Sequence, residues 1–247
     1  MKRRRRTFVA LISSLLPGLA AAQFDAGATY QIATNNVAFT QSVLMTNELA
    51  RVGQHAYDHG APPPHAGAAL HATPADLRVG RDPRVSAQVW KGFIDGIRER
   101  SGADVADRVS ATFRRKDVRS AFDEAARPYG LRSDDYGDVF AGYLVTLWMT
   151  ANQAPLPGVR EVRSVDGQVH GYLACSGVPA DPRQRQLQAE QMMYEVVATI
   201  YARQEAERSG NRRALADMAA NAQRNFLAHG LNLQAMTLRE GSGLVRR

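Results

Sequence analysis

Asp134-Asp135-Tyr136-Gly137-Asp138-Val139-Phe140-Ala141-Gly142-Tyr143-Leu144-Val145-Thr146-Leu147-Trp148-Met149-Thr150-Ala151 opens on three carboxylates, and none of the thirteen residues after Asp138 is charged. Val139, Phe140, Tyr143, Leu144, Leu147 and Trp148 lie on every side of a 3.6-residue period, which describes a helix buried all round. The apolar run falls short of the roughly 20 residues that span a bilayer, so it reads as the central helix of a helical core. Its start is set at Ser133 or Asp134 and its end near Gln153. Carboxylates at a helix start accept from the free N–H groups and oppose the dipole. Asp134, Asp135 and Asp138 therefore read as caps, with a cation site as the alternative. If Asp134 is the cap, Asp134→Ala costs about 1 kcal/mol and leaves ligand behaviour untouched.

Helical patterns continue upstream. Val89, Trp90, Phe93, Ile94 and Ile97 make one stripe of a helix from Ser86 to Arg100, and Val105, Val109 and Phe113 mark another from Asp104 to Arg115. Asp117 can cap a third that carries Val118, Phe122 and Ala125 and stops before Pro128 and Gly130. Downstream, Pro155 to Pro182 holds four prolines and four glycines and reads as irregular. Within it, Asp166-Gly167 between Val162–Val165 and Val169–Ala174 suggests a β-hairpin. A long helix follows from Asp181 to Ser209, with Leu187, Met193, Val196, Val197, Ile200 and Tyr201 on its stripe. Leu215, Met218, Ala219, Ala222 and Phe226 define one more, which ends at Gly230. Leu231 to Leu238 alternates as a strand, and the tail to Arg247 is expected to fray. The fold class is thus all-α, a bundle-like domain of five to six helices over 81–240 with one short hairpin. An N-terminal arm over 23–80 precedes it, with a helix near Phe39–His59 and a linker through Pro62-Pro63-Pro64.

The first 22 residues read as a cleavable export signal. Lys2 to Arg6 form a basic start, Phe8 to Leu16 a short apolar run, Pro17-Gly18 a break, and Ala20-Ala21-Ala22 the small residues before a cut at Gln23. Arg5-Arg6-Thr7-Phe8-Val9 also fits a twin-arginine signal, so both export routes stay open. Five of the seven net positive charges lie in Lys2–Arg6 and no acid lies in residues 1–22, so removing them leaves +2. That charge offers no electrostatic footprint for nucleic acid. Cys175 is the only cysteine, so no internal disulfide forms. A periplasmic or secreted location is the expectation.

The sharpest candidate chemistry is a histidine cluster. His55 and His59 share a helix face at i, i+4 with Asp58 between them, and His65 and His71 follow, so four of the six histidines fall within 17 residues. His55, Asp58, His59 and His65 are the candidate metal set, for zinc or another divalent transition metal. Asp58 stands where the inverted zinc-protease motif has Glu, one methylene too short to reach a metal-bound water well. Imidazoles at a helix end are also favoured by the dipole without any metal. Asp123-Glu124 and Glu190/Glu195 are acid pairs without a defined separation, and Ser176 has no base assigned, with His170 unplaced. No nucleophile elbow, phosphate loop or dinucleotide fingerprint occurs. Arg114-Arg115-Lys116 and Arg183/Arg185 read as solvated helix faces, and Trp90 and Trp148 as core.

Tyr129-Gly130-Leu131, Asp135, Asp138 to Val145 and Trp148, with the long helix that follows and its end at Gly230, resemble an uncharacterised bacterial family of exported, mostly helical proteins, catalogued as a domain of unknown function. The likeness covers roughly Ser86 to Leu238, implies secretion and a helical fold, and carries over no catalytic residue. The function expected is a non-enzymatic interaction or envelope-associated module with an unknown protein or envelope partner. The alternative is a metal-binding protein or metal-dependent hydrolase using His55 and His59.

Overall fold

The computed structural model describes residues 77–114, 116–176, 178–227 and 231–247, without the side chains of Arg100, Cys175 and Ser176. The export signal, the N-terminal arm and all of His55, Asp58, His59, His65 and His71 lie outside the described residues, as does Gly230. Seven α-helices and one two-stranded sheet occur among the described residues: α1 Pro83–Ser101, α2 Ala103–Phe113, α3 Val118–Ala126, α4 Tyr136–Ala151, α5 Val159–Ser176, α6 Pro182–Arg208, α7 Arg212–Leu227, β1 Met236–Arg239 and β2 Gly243–Arg246. The fold is mainly α, as the periodicity demanded. No described helix is long and apolar enough to cross a membrane.

Helix α4 is the centre. Every residue from Tyr136 to Ala151 except Gly142 is buried. It packs against α5, α6 and α7, while α1 and α3 also pack on α6. Helices α4 and α6 run in the same direction. The Tyr136 hydroxyl at the start of α4 donates to Gln188 Oε1 near the start of α6. At the other end Arg203 of α6 donates to the carbonyls of Met149 and Ala154. Gly142 is where α3 comes closest, since a Cβ there would lie 3.0 Å from Phe122 Cζ.

Local signals set most ends. Asp82, Asp117, Asp135 and Asp181 each accept backbone N–H groups as N-caps, and Pro83 and Pro182 begin α1 and α6. Two expected starts move. Asp82 rather than Ser86 caps α1, and the Ser86 hydroxyl donates to Glu190 instead. Asp135, not Ser133 or Asp134, caps α4; Ser133 is tied to Asp123 through its amide and hydroxyl. The Asp134 side chain is half exposed and pairs with Arg132, while its carbonyl accepts from the Val79 amide. Asp135→Ala should therefore lower stability by about 2 kcal/mol, while Asp134→Ala should stay within about 0.5 kcal/mol of wild type. Urea midpoints of the two variants check this, and equal losses would contradict the assignment.

Most of the stretch Pro155 to Pro182 is not irregular, and its described residues hold no hairpin. Most of it is α5, with Val162, Val165, Val169 and Leu173 on a buried helical stripe. The valines favour strands in isolation, but their 3-4-4 spacing buries them together only as a helix. Asp166-Gly167 falls inside that helix, where Gly costs about 1 kcal/mol against Ala.

Nor does the C-terminal tail fray. Gly243–Arg246 pairs antiparallel with β1, Leu238 opposite Leu244 and Thr237 opposite Val245, with Leu244 and Val245 buried. Gln168 of α5 both donates to and accepts from the Leu244 backbone, acting as a one-residue strand on the free edge of β2. The expected strand over Leu231–Leu238 shortens to β1, preceded by a 3-10 turn at Leu233–Ala235.

Candidate functional site

The N-terminus of α4 gathers the titratable groups that the helical packing of α5 supplies. Asp135 Oδ1 accepts from the amides of Gly137 at 2.8 Å and Asp138 at 3.2 Å. Asp138, one turn in, is buried and accepts from the Arg132 amide at 3.0 Å. Across from them, Asp166 and His170 share a face of α5 at i, i+4. His170 Nε2 lies 3.2 Å from Asp135 Oδ1 and 3.9 Å from Asp138 Oδ1. Its Nδ1 lies 2.9 Å from the Asp166 carbonyl oxygen and 3.1 Å from Asp166 Oδ1.

Glycine makes the approach possible. A Cβ at Gly137 would sit 2.6 Å from His170 Nε2, and one at Gly130, whose φ is +72°, would collide with the Arg163 guanidinium. Two glycines thus let two basic side chains of α5, each one turn from Asp166 and on either side of it, lie directly on the backbone before and within α4. Arg163 reaches Asp166 at 3.3 Å, and Arg132 spreads over Asp134, Asp135 and Asp138 at 3.4–3.9 Å from the solvent side.

Three carboxylates in one corner perturb one another. Burial and the neighbouring Asp166 and Asp135 push Asp138 up to about 7. For Asp135 burial acts upward too, but the His170 contact and the two backbone amides outweigh it and hold its carboxyl below the ordinary range. Burial opposes charge on His170, yet its bonds to Asp135 and Asp166 raise it to about 11. The imidazole is thus a cation at neutral pH. Its raised pKa contributes stability that is fully present below the unfolded value near 6.5 and is lost as pH rises toward 11. In an NMR titration with the metal kept out, the His170 ring signals should stay flat from pH 5.5 to 8.5. A midpoint near 6.5 would contradict this electrostatic picture.

Asp135, Asp138 and His170 offer ligand atoms that all lie within 4.8 Å of one another. Two ligands of a tetrahedral ion with bonds near 2.0 Å sit about 3.3 Å apart. Nε2 and Asp135 Oδ1 meet that spacing as they stand, and Asp138 Oδ1 is about 0.6 Å too far from Nε2. When Nδ1–H donates to the Asp166 carbonyl, the lone pair is on Nε2, the atom that faces both carboxylates. Two oxygens and one imidazole suit zinc, manganese or iron(II) rather than copper(I).

The other candidates are not brought together. Asp123 holds Ser133, Glu124 pairs with Lys116, Glu190 with Arg119, and Glu195 lies by Tyr143. Arg185 is buried rather than solvated and donates to the carbonyls of Pro179 and Arg78, whereas Arg183 is exposed beside Asp82. Trp90 packs at tilted angles in an aromatic group with Phe93, Phe113 and Tyr194, and Trp148 donates to the Met236 carbonyl, both as core. Sequence reasoning weighed the aspartates but left His170 aside. The missing signal was the Asp166/His170 i, i+4 pair, which appears only once that stretch is read as helix. No family model matches the chain, and no curated protein or solved structure does either.

Proposed function

We propose that the chain is an exported, non-enzymatic binding module that takes up a divalent transition-metal ion at Asp135, Asp138 and His170. The observation that carries the metal reading is the convergence of two carboxylates and Nε2 within 4.8 Å, on a helix start that is open to solvent through the one-third exposed His170. Export rests on the basic, apolar and small-residue order of the first 22 residues and on the likeness to a family of exported helical proteins. The interaction or envelope-associated role is the expectation carried over from the sequence; its partner would be a protein or envelope component.

A second reading has its own support. With His170 protonated, the imidazolium bridges two carboxylates, Asp135 and Asp166, and the cluster closes as an ion network that fastens α5 to the start of α4. A metal must displace that proton. Hard ions held by oxygen alone gain nothing from His170, so calcium and magnesium should bind more weakly than zinc or manganese.

Calorimetric titration of zinc and manganese into chelator-treated protein separates the two. The metal reading expects near-stoichiometric uptake, lost at least about tenfold in affinity in both His170→Gln and Asp138→Asn. It also expects uptake to survive in His55→Ala/His59→Ala. No uptake, or uptake unchanged by the first two variants, would leave the ion network as the account of the cluster.

A further inference from the structure

Glu195 is the carboxyl that the candidate site does not use. It lies in the middle of α6, 5% exposed, between Met192, Val196 and Thr199, all buried. From α4 the Tyr143 side chain comes near it and favours the charged form. Its Oε2 has no hydrogen-bond partner, nor does Oγ1 of Thr199 one turn later or Oε1 of Gln191 one turn earlier. An ionised carboxylate accepts at about four lone-pair positions, and here the Tyr143 side chain alone favours the charge. A neutral carboxyl needs far less, because its desolvation is that of an ordinary polar group.

We propose that Glu195 is a proton-held latch on the seam between α4 and α6, closed while the carboxyl keeps its proton and loosened when the proton leaves, so that acidic surroundings stabilise the fold. The groups around it give no counter-charge. Tyr143 is what α4 presents. Arg119 of α3 is paired with Glu190, which also takes the Ser86 hydroxyl of α1. On α7 Arg213 and Asp217 pair with each other at the surface. Arg203, two turns further along α6, is spent on Glu207 and the carbonyls at the end of α4. Burial pushes the Glu195 carboxyl well above its ordinary value, and the neighbouring Tyr143 opposes this without cancelling it.

The sign follows from linkage. A folded-state value above the unfolded one, near 4.5, means that stability is fully present below that pH and drains away as pH rises through the folded value. Glu195→Gln keeps the shape of the protonated acid and cannot ionise. Thermal unfolding of the full chain, native and Glu195→Gln, in chelator from pH 4.5 to 8.5 tests the latch. The expected result is two similar Tm values at pH 4.5 and a gap in favour of the glutamine variant that widens by about 5 °C or more toward pH 8.5. Tyr143→Phe removes the one neighbouring hydroxyl that favours the charged form, so it should lose more Tm over the same range than the native chain. A gap that is constant with pH, or a Tyr143→Phe curve parallel to the native one, would overturn the proposal.

Discussion

Arg119→Ala should cost about 3–5 kcal/mol, the largest loss expected from any single charge in the molecule. Arg119 and Glu190 are 11% and 2% exposed, and Nη2 lies 2.7 Å from Glu190 Oε1. The same guanidinium donates to the Gly80 carbonyl, and Glu190 Oε1 also receives the Ser86 hydroxyl at 2.8 Å and the Gln186 amide at 2.9 Å. One ion pair therefore joins α3, α6, α1 and the segment before α1. Removing the arginine leaves a nearly inaccessible carboxylate with two neutral donors, and desolvation rather than the lost attraction sets the cost. The pair itself need not stabilise the fold much against an apolar replacement. Arg119→Met/Glu190→Leu should thus be far closer to wild type than Arg119→Ala alone. Urea denaturation at pH 7 reads both, and a single-variant loss below about 1 kcal/mol would mean that water reaches Glu190.

Phe122→Ala should cost a similar amount, about 3–5 kcal/mol, for a different reason. The ring is fully buried and its tip lies over Gly142 of the central helix, with Leu131 beside them. Truncation removes the ring from a place where α4 has no side chain to fill the gap. Gly142→Ala in the native background pushes a methyl to 3.0 Å from Cζ and should cost about 1–3 kcal/mol by overpacking, despite the better helix propensity of alanine. Together, Phe122→Leu and Gly142→Ala should cost less than the sum of the two singles, since the smaller side chain makes room for the methyl. Strict additivity in a double-mutant cycle would show that α3 and α4 are not in register at this point.

Much of the fold was legible because it depends on interactions between near neighbours. The central helix declared itself through apolar residues on every side of its axis, and α6 and α7 through stripes that repeat over several turns. Caps at Asp117 and Asp181 follow from side-chain oxygens two residues from the amides they accept, so short-range chemistry decides them. The aspartates at the start of α4 were visible as both caps and possible ligands for the same reason.

What the sequence could not determine was the choice between two local preferences and the meeting of distant residues. Val162, Val165, Asp166-Gly167 and Val169 favour a hairpin by propensity; contact with the core makes them a helix, because only that period buries all three valines at once. That outcome alone turns Asp166 and His170 onto one face. The tail becomes a strand by pairing with β1, and Gln168, 76 residues away, closes its other edge at Leu244. The site at Asp135, Asp138 and His170 likewise spans 35 residues and two helices, and exists only where Gly137 lets the imidazole lie on the backbone of α4. Periodicity and capping are properties of consecutive residues and were readable from the chain; proximity between helices, and the charge state it imposes on Asp138, His170 and Glu195, is created by packing alone.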